Sequence, residues 1–222
     1  MKFPVLMINF KTYEQASGFD AEEITKVCRK VSEETGKAIA CCPQATDIYR
    51  CAQYQIPIFA QHEDTEEPGG HTGKITLKAI KENGAIGSLI NHSENRLSFE
   101  KINQLIHLFR QEDLISVVCV RDKEEAVSVA KLYPDLIAIE PPELIGGDVS
   151  VTKAKPSLIK DVVEAVQEIH EDIKVLCGAG VKTGEDVKKA LELGAEGVLV
   201  ASGVVKAEDK ERSIRGLLSG FD

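Results

Sequence analysis

The sequence has no apolar run approaching the roughly 18 residues of a membrane-spanning helix. Its N-terminus, MKFPVLMINFK, reaches Asn9 and Lys11 too soon for the apolar stretch of a signal peptide. A soluble, cytoplasmic protein is therefore the expectation. Basic residues are in deficit, 27 Lys and Arg against 36 Asp and Glu, for a formal net charge of -9. That balance disfavours a general affinity for nucleic acid or anionic membrane, so any phosphate group must be held by a local site. The six cysteines show no C-x-x-C spacing, although Cys41 and Cys42 are adjacent. Neither a zinc ribbon nor a thioredoxin-like redox pair is supported, and most of the cysteines are expected as free thiols. Cys119 and Cys177 each end an apolar run, a position suited to a small buried hydrophobe. There is no H-E-x-x-H or other convincing ligand cluster, and His62, His107 and His170 read as surface or packing residues. No metal is expected.

What is present is a rhythm. The runs VLMIN, AIACC, IPIFAQ, GSLIN, LISVVCV, LIAIE, IKVLCG and GVLVA are each followed by a longer charged stretch with helical spacing. Strands apolar on both faces and alternating with helices define an α/β protein with a parallel sheet. The helical stretches carry apolar stripes, such as Phe99, Ile102, Leu105, Ile106 and Phe109, or Leu158, Ile159, Val162, Val163 and Val166. Eight strand-helix pairs fit between Val5 and Leu218 with no Pro/Gly-rich or low-complexity break. At 222 residues the chain is expected to form one domain, residues 1–222, folded as a closed (βα)₈ barrel. An open doubly wound sheet is the structural rival, since the same alternation builds it and it too binds ligands at the carboxyl ends of its strands.

Polar residues just after the strand runs are the first candidates for chemistry. Strand period two would set Asn9 and Lys11 on the same side at the mouth of the first strand. Taken alone, Lys11 also fits the start of a solvated loop, and His92, after Gly87 to Asn91, also fits a structural histidine at the start of a helical turn. Glu140 is harder to dismiss: it follows Leu136-Ile137-Ala138-Ile139 and precedes Pro141-Pro142, which fixes a carboxylate at an apolar rim. Partial desolvation there would make it a better base. The segment from Pro141 to Asp148, stiffened by prolines at one end and hinged by Gly146 and Gly147 at the other, has the composition of a lid. Gly178-Ala179-Gly180 and Ala201-Ser202-Gly203 follow the seventh and eighth runs, where small residues let backbone N–H groups approach an anion. GAGVKTG does not have the spacing of G-x-G-x-x-G and lies late in the chain, so a nicotinamide cofactor is not expected.

In their order along the chain, these segments resemble the triosephosphate isomerase family over nearly the whole length. The family's N-x-K is present as Asn9-Phe10-Lys11. Its A-Q-N and G-x-x-T-G-E segments are similar to Ala60-Gln61-His62 and to Gly70-His71-Thr72-Gly73-Lys74. Its G-H-S-E-R-R box resembles Asn91-His92-Ser93-Glu94-Asn95-Arg96, and its Y-E-P box resembles Ile139-Glu140-Pro141. The chain departs from the pattern in Ile139 for tyrosine, in Pro142-Glu143-Leu144 at the lid opening, and in both phosphate loops. Its brevity is similar to the compact archaeal branch, whose members tend to form tetramers where longer chains form dimers.

The resemblance implies a TIM barrel, no cofactor, and interconversion of dihydroxyacetone phosphate and D-glyceraldehyde 3-phosphate through an enediolate. Carried over position by position, it implies Glu140 as the base and His92 as the electrophile that polarises the carbonyl. Lys11 supplies positive charge, Asn9 completes the polar wall, and Glu94 anchors Lys11 or His92. The phosphate end would be held by Ile145, Gly146, Gly180, Ala201 and Ser202 together with Asn9 and Lys11, under a closing lid that excludes water. A homo-oligomer is expected, a tetramer rather than a dimer, with His71 and Thr72 where the family's third loop reaches a neighbouring subunit. Two rivals stay open. Another phosphate-binding barrel enzyme would share the glycine loops, although a Schiff-base aldolase needs a mid-barrel lysine and Lys174 only begins a run. A non-catalytic barrel kept as an assembly subunit would be expected to have lost the base or the electrophile.

Overall fold

The computed structural model describes residues 1–141 and 156–222. Each apolar run contains a strand: β1 (Val5–Asn9), β2 (Ala38–Cys42), β3 (Phe59–Ala60), β4 (Gly87–Ile90), β5 (Ile115–Val120), β6 (Leu136–Ile139), β7 (Lys174–Cys177) and β8 (Gly197–Val200). The main helices between them are α1 (Phe19–Thr35), α2 (Ile48–Ala52), α3 (Leu77–Glu82), α4 (Phe99–Gln111), α5 (Lys123–Ala130), α6 (Pro156–Ile169) and α7 (Gly184–Glu192). After β8 come α8 (Ser202–Val205) and α9 (Lys210–Leu218). Helix starts are fixed locally: the side chains of Thr76, Ser98, Asp122 and Asp209 each accept a first-turn N–H, and Thr183 forms a capping box with Asp186.

The strands run parallel in the order β2-β1-β8-β7-β6-β5-β4-β3. The two end strands meet through a parallel bridge from Cys41 to Ile58, where Cys41 N–H donates to Pro57 O at 3.0 Å. The sheet is therefore a ring, which excludes the open doubly wound alternative. The third run is the thinnest part of it. Pro57 has no N–H to give, and only Phe59 and Ala60 of IPIFAQ pair as a full strand.

Alternation divides the apolar strand residues into two cores. Val5 and Met7, Ala40 and Cys42, Val117 and Cys119, and Leu136 and Ala138 fill the barrel with Phe59, Leu89, Leu176 and Leu199. The residues between them, such as Leu6, Ile8, Ile39, Val118 and Ile137, pack outward against the helices. Phe59 is the largest side chain of the inner core, and Gly87 makes room for it. A Cβ at position 87 would lie 2.6 Å from its ring and 2.2 Å from Ile115 O. All six cysteines are free and buried. Burial pushes Cys177 up to about 12 and Cys119 well above the usual thiol value, which keeps both as unreactive packing groups. In α4 the stripe is shorter than its spacing implies. Ile102, Leu105, Ile106 and Phe109 are buried, but Phe99, the first helical residue, is 52% exposed because the turn it occupies precedes the packed face. In α6, Ile159, Val162, Val163 and Val166 are buried, with Leu158 packed at the margin.

One buried group stands apart from this apolar logic. Glu63, just past β3, is 1% exposed, and neither carboxylate oxygen has a hydrogen-bond partner among the described residues. The nearby Ser88 hydroxyl donates to Leu89 O instead, at 3.0 Å. Burial pushes the Glu63 carboxyl from 4.5 up to about 8; the neighbouring Ser88 hydroxyl opposes the rise and the negative charge of Asp64 adds to it. The folded state then holds a proton that the unfolded chain has released, so the neutral carboxyl is tolerated fully below about pH 4.5 and stability falls as pH rises toward 8. Glu63→Gln should flatten this decline. Thermal unfolding between pH 5 and 8 should show a smaller fall in Tm for the variant, and equal slopes for both proteins would refute the assignment.

Candidate active site

The strand register decides which polar side chains enter the barrel mouth. Val5, Met7 and Asn9 form one inward series, and Leu136, Ala138 and Glu140 form another. Asn9 and Glu140 are therefore the next layer above the apolar filling, each 4% exposed. The backbone of Glu140 continues the sheet, with its N–H donating to Val120 O at 2.8 Å. Gly178 follows the inward Leu176 on the neighbouring strand, and its lack of a side chain is what admits the carboxylate. A Cβ there would lie 2.5 Å from Glu140 Cγ and 3.2 Å from Ile139 O.

His92, 7% exposed, comes from the loop after β4 and places Nε2 3.3 Å from Glu140 Oε1. Its other nitrogen, Nδ1, accepts the N–H of Glu94 at 3.2 Å. Accepting at Nδ1 assigns the donor role in this ring to Nε2, the nitrogen that faces the carboxylate. The remaining oxygen, Glu140 Oε2, is buried and has no hydrogen-bond partner among the described residues.

Lys11 reaches the mouth by a route that pleat alternation does not describe. The strand ends at Asn9, and Lys11 has a left-handed backbone with φ 49°, its N–H donating to Asn9 Oδ1 at 2.9 Å. Gln61 holds that turn from the side, with Nε2 donating to Lys11 O at 3.0 Å and to Cys42 O at 2.9 Å. Lys11 Nζ then lies 2.8 Å from Glu94 Oε1. The Glu94 side chain is 58% exposed, so this pair orients the ammonium more than it stabilises the fold.

These groups border a cavity of about 350 Å³. Asn9, Lys11, His92 and Glu140 line it together with Gly178 to Lys182 and Leu199 to Gly203. Gly180, Ala201 and Ser202 are thus brought together with the four strand-end residues, while Glu94 lines the adjoining cleft with Lys11 and His92. At the start of α8 the amides of Ser202 and Gly203 precede the first carbonyl they could bond within the helix. The result is a carboxylate, an imidazole and an ammonium gathered at one cavity with the glycine-containing loops after β7 and β8.

A sequence model of the family described as triosephosphate isomerase matches residues 4–217. The chain belongs to the triosephosphate isomerase family. It is 46% identical to the triosephosphate isomerase of Methanothermus fervidus over 99% of both chains. It is 48% identical to that of Methanocaldococcus jannaschii over 96% of this chain and 98% of the other. With that of Methanosarcina acetivorans the identity is 47%, over 98% and 99%. These relatives are archaeal, and the match covers at least 98% of each of them.

Ile145, Gly146 and the rest of the lid segment from Pro142 to Asp148 lie outside the described residues. Sequence reasoning passed over Tyr13, Val181 and Lys182, which line the cavity beside the expected Gly203, and the part played by Gln61. Only Gln61 carried a signal, as the middle residue of Ala60-Gln61-His62. In an isomerase built this way, Gly178→Ala should displace Glu140 without unfolding the barrel. Turnover should fall by about 10- to 100-fold, as for a misplacement near 1 Å, with the circular dichroism spectrum unchanged. Full activity in the folded variant would show that Glu140 is not held against this wall.

Proposed function

We propose that the chain interconverts dihydroxyacetone phosphate and D-glyceraldehyde 3-phosphate, with Glu140 as the base and His92 as the electrophile. The observation that carries the reading is the 3.3 Å approach of His92 Nε2 to Glu140 Oε1 on the buried floor of a cavity that also receives Lys11. Glu140 removes a proton from one carbon of the substrate and returns it to the neighbouring carbon. His92 donates from Nε2 to the carbonyl oxygen as negative charge develops there, and then moves the proton between the two oxygens of the enediolate. Triosephosphate isomerase is itself the standard example of a glutamate base beside a neutral histidine, so the tautomer described above agrees with established chemistry. Lys11 offsets charge on the enediolate and the phosphate, held in place by Glu94, and Asn9 completes the polar wall. The phosphate rests on backbone N–H groups of Gly180, Ala201 and Ser202, joined by Ile145 and Gly146 when the lid covers the site and keeps water from the enediolate.

Residues 1–222 act as one domain, in the cytoplasm, and assemble as a homotetramer. Exposed apolar side chains support assembly: Phe19 is 75% exposed, Tyr49 64% and Phe99 52%, and His71 and Thr72 stand on an exposed loop. No described helix is long and apolar enough to cross a membrane. Light scattering should give a particle of four times the 24.2 kDa chain, and a monomer at micromolar concentration would overturn the assembly.

The catalytic assignment is tested with glyceraldehyde 3-phosphate and a coupled reductase that consumes dihydroxyacetone phosphate. The protein should turn over rapidly, and Glu140→Asp, which retracts the carboxylate by one methylene, should lose about 100-fold or more in kcat with its unfolding temperature nearly unchanged. Background turnover by the parent protein would refute the reaction. Undiminished turnover by the variant would refute the base.

A further inference from the structure

We propose that Asn91 is a positioning residue for catalysis, a clasp that sets where His92 presents Nε2; this rests on the reading of His92 as the electrophile. Asn91 ends the β4 run and is 2% exposed, with a left-handed backbone at φ 63°. The family box that this segment resembles has glycine there, the residue for which such a φ carries no steric cost. Asparagine tolerates the same backbone and adds an amide, and every polar atom of that amide is engaged. Nδ2 donates to Cys119 O on β5 at 2.9 Å and faces Glu125 Oε1 at 3.4 Å. Oδ1 accepts the N–H of Leu97 at 2.9 Å, which closes the loop that begins with His92.

Two charged groups complete the clasp. Arg96 Nη1 donates to Asn91 O at 3.3 Å, and Arg96 Nη2 pairs closely with Glu125 Oε1. Glu125 is itself fixed at the start of α5, with Oε2 accepting the N–H of Arg121 at 2.8 Å and its own N–H donating to Asp122 Oδ1 at 2.8 Å. Within the loop, Asn95 N–H donates to His92 O at 2.8 Å. The peptide before His92 is thus tied to β5, and the residues after it are tied back to Asn91. A glycine would supply the backbone angle and keep the carbonyl that meets Arg96, but it would lose the amide's ties to Cys119 and Leu97, leaving the ring free to shift by the fractions of an ångström to which proton transfer is sensitive.

A double-mutant cycle separates positioning from general support. Asn91→Gly, which suits the observed φ, should lower kcat by about 10-fold or more with KM changed less than about threefold. In a His92→Gln background the same change should lower the residual kcat by less than about twofold, because the group it positions is gone. Equal losses in the two backgrounds, or no loss in either, would overturn the proposal. If His92→Gln itself kept parental turnover, the reading of His92 would fall first, and the clasp would have no catalytic role to serve. Should Asn91→Gly not fold, Asn91→Asp keeps the Oδ1 acceptor for Leu97 and removes both Nδ2 donations. It should also lose turnover with KM preserved, and parental kcat in that folded variant would overturn the proposal.

Discussion

Closure of the strand ring between Cys41 and Ile58 is the constraint on which the rest of the molecule depends. A closed parallel ring has only an inside and an outside, so each strand must commit alternate residues to each. The inside is filled by close-packed apolar side chains up to the layer of Asn9 and Glu140, where the filling stops and the cavity begins. A carboxylate one layer above such a core has little room to wander. Gly178 supplies the one gap it needs.

Above that layer, loops take over from strands, and polar contacts replace packing as the means of fixing geometry. Each functional group is held by a neighbour that is held in turn: Gln61 and Asn9 shape the Lys11 turn, Glu94 receives the Lys11 ammonium and caps His92 Nδ1, and Asn91 ties the His92 loop to β5. Chemistry that depends on fractions of an ångström is well served by such a shell. The buried Glu63, by contrast, has no carboxylate hydrogen bond of good geometry among the described residues, and its raised carboxyl makes the loop after β3 sensitive to pH.

Much of this was legible in the residues. The strand runs were plain because parallel strands are apolar on both faces, and Glu140 was plain because an ionisable group directly after LIAI is expensive unless it has work to do. Lys11 and His92 were ambiguous alone, since a lysine or histidine at a strand end serves a solvated loop as readily as a site. Their company along one barrel gave them meaning. What periodicity could not carry was anything set by loop backbone: the left-handed turns at Lys11 and Asn91, the exposure of Phe99, and the cavity-lining Tyr13 and Lys182. The thin third strand follows from Pro57, which the run IPIFAQ displays, although its apolar pattern alone implies a longer element.

The central claim is that the barrel mouth holds a neutral His92 with its proton on Nε2, directed at Glu140. Nitrogen-15 NMR of the histidine side chains, with His92 assigned by its absence in His92→Gln, measures this directly. At pH 7 the His92 ring should show a protonated Nε2 and an unprotonated Nδ1. A spectrum with both nitrogens protonated, or with the proton on Nδ1, would contradict the account.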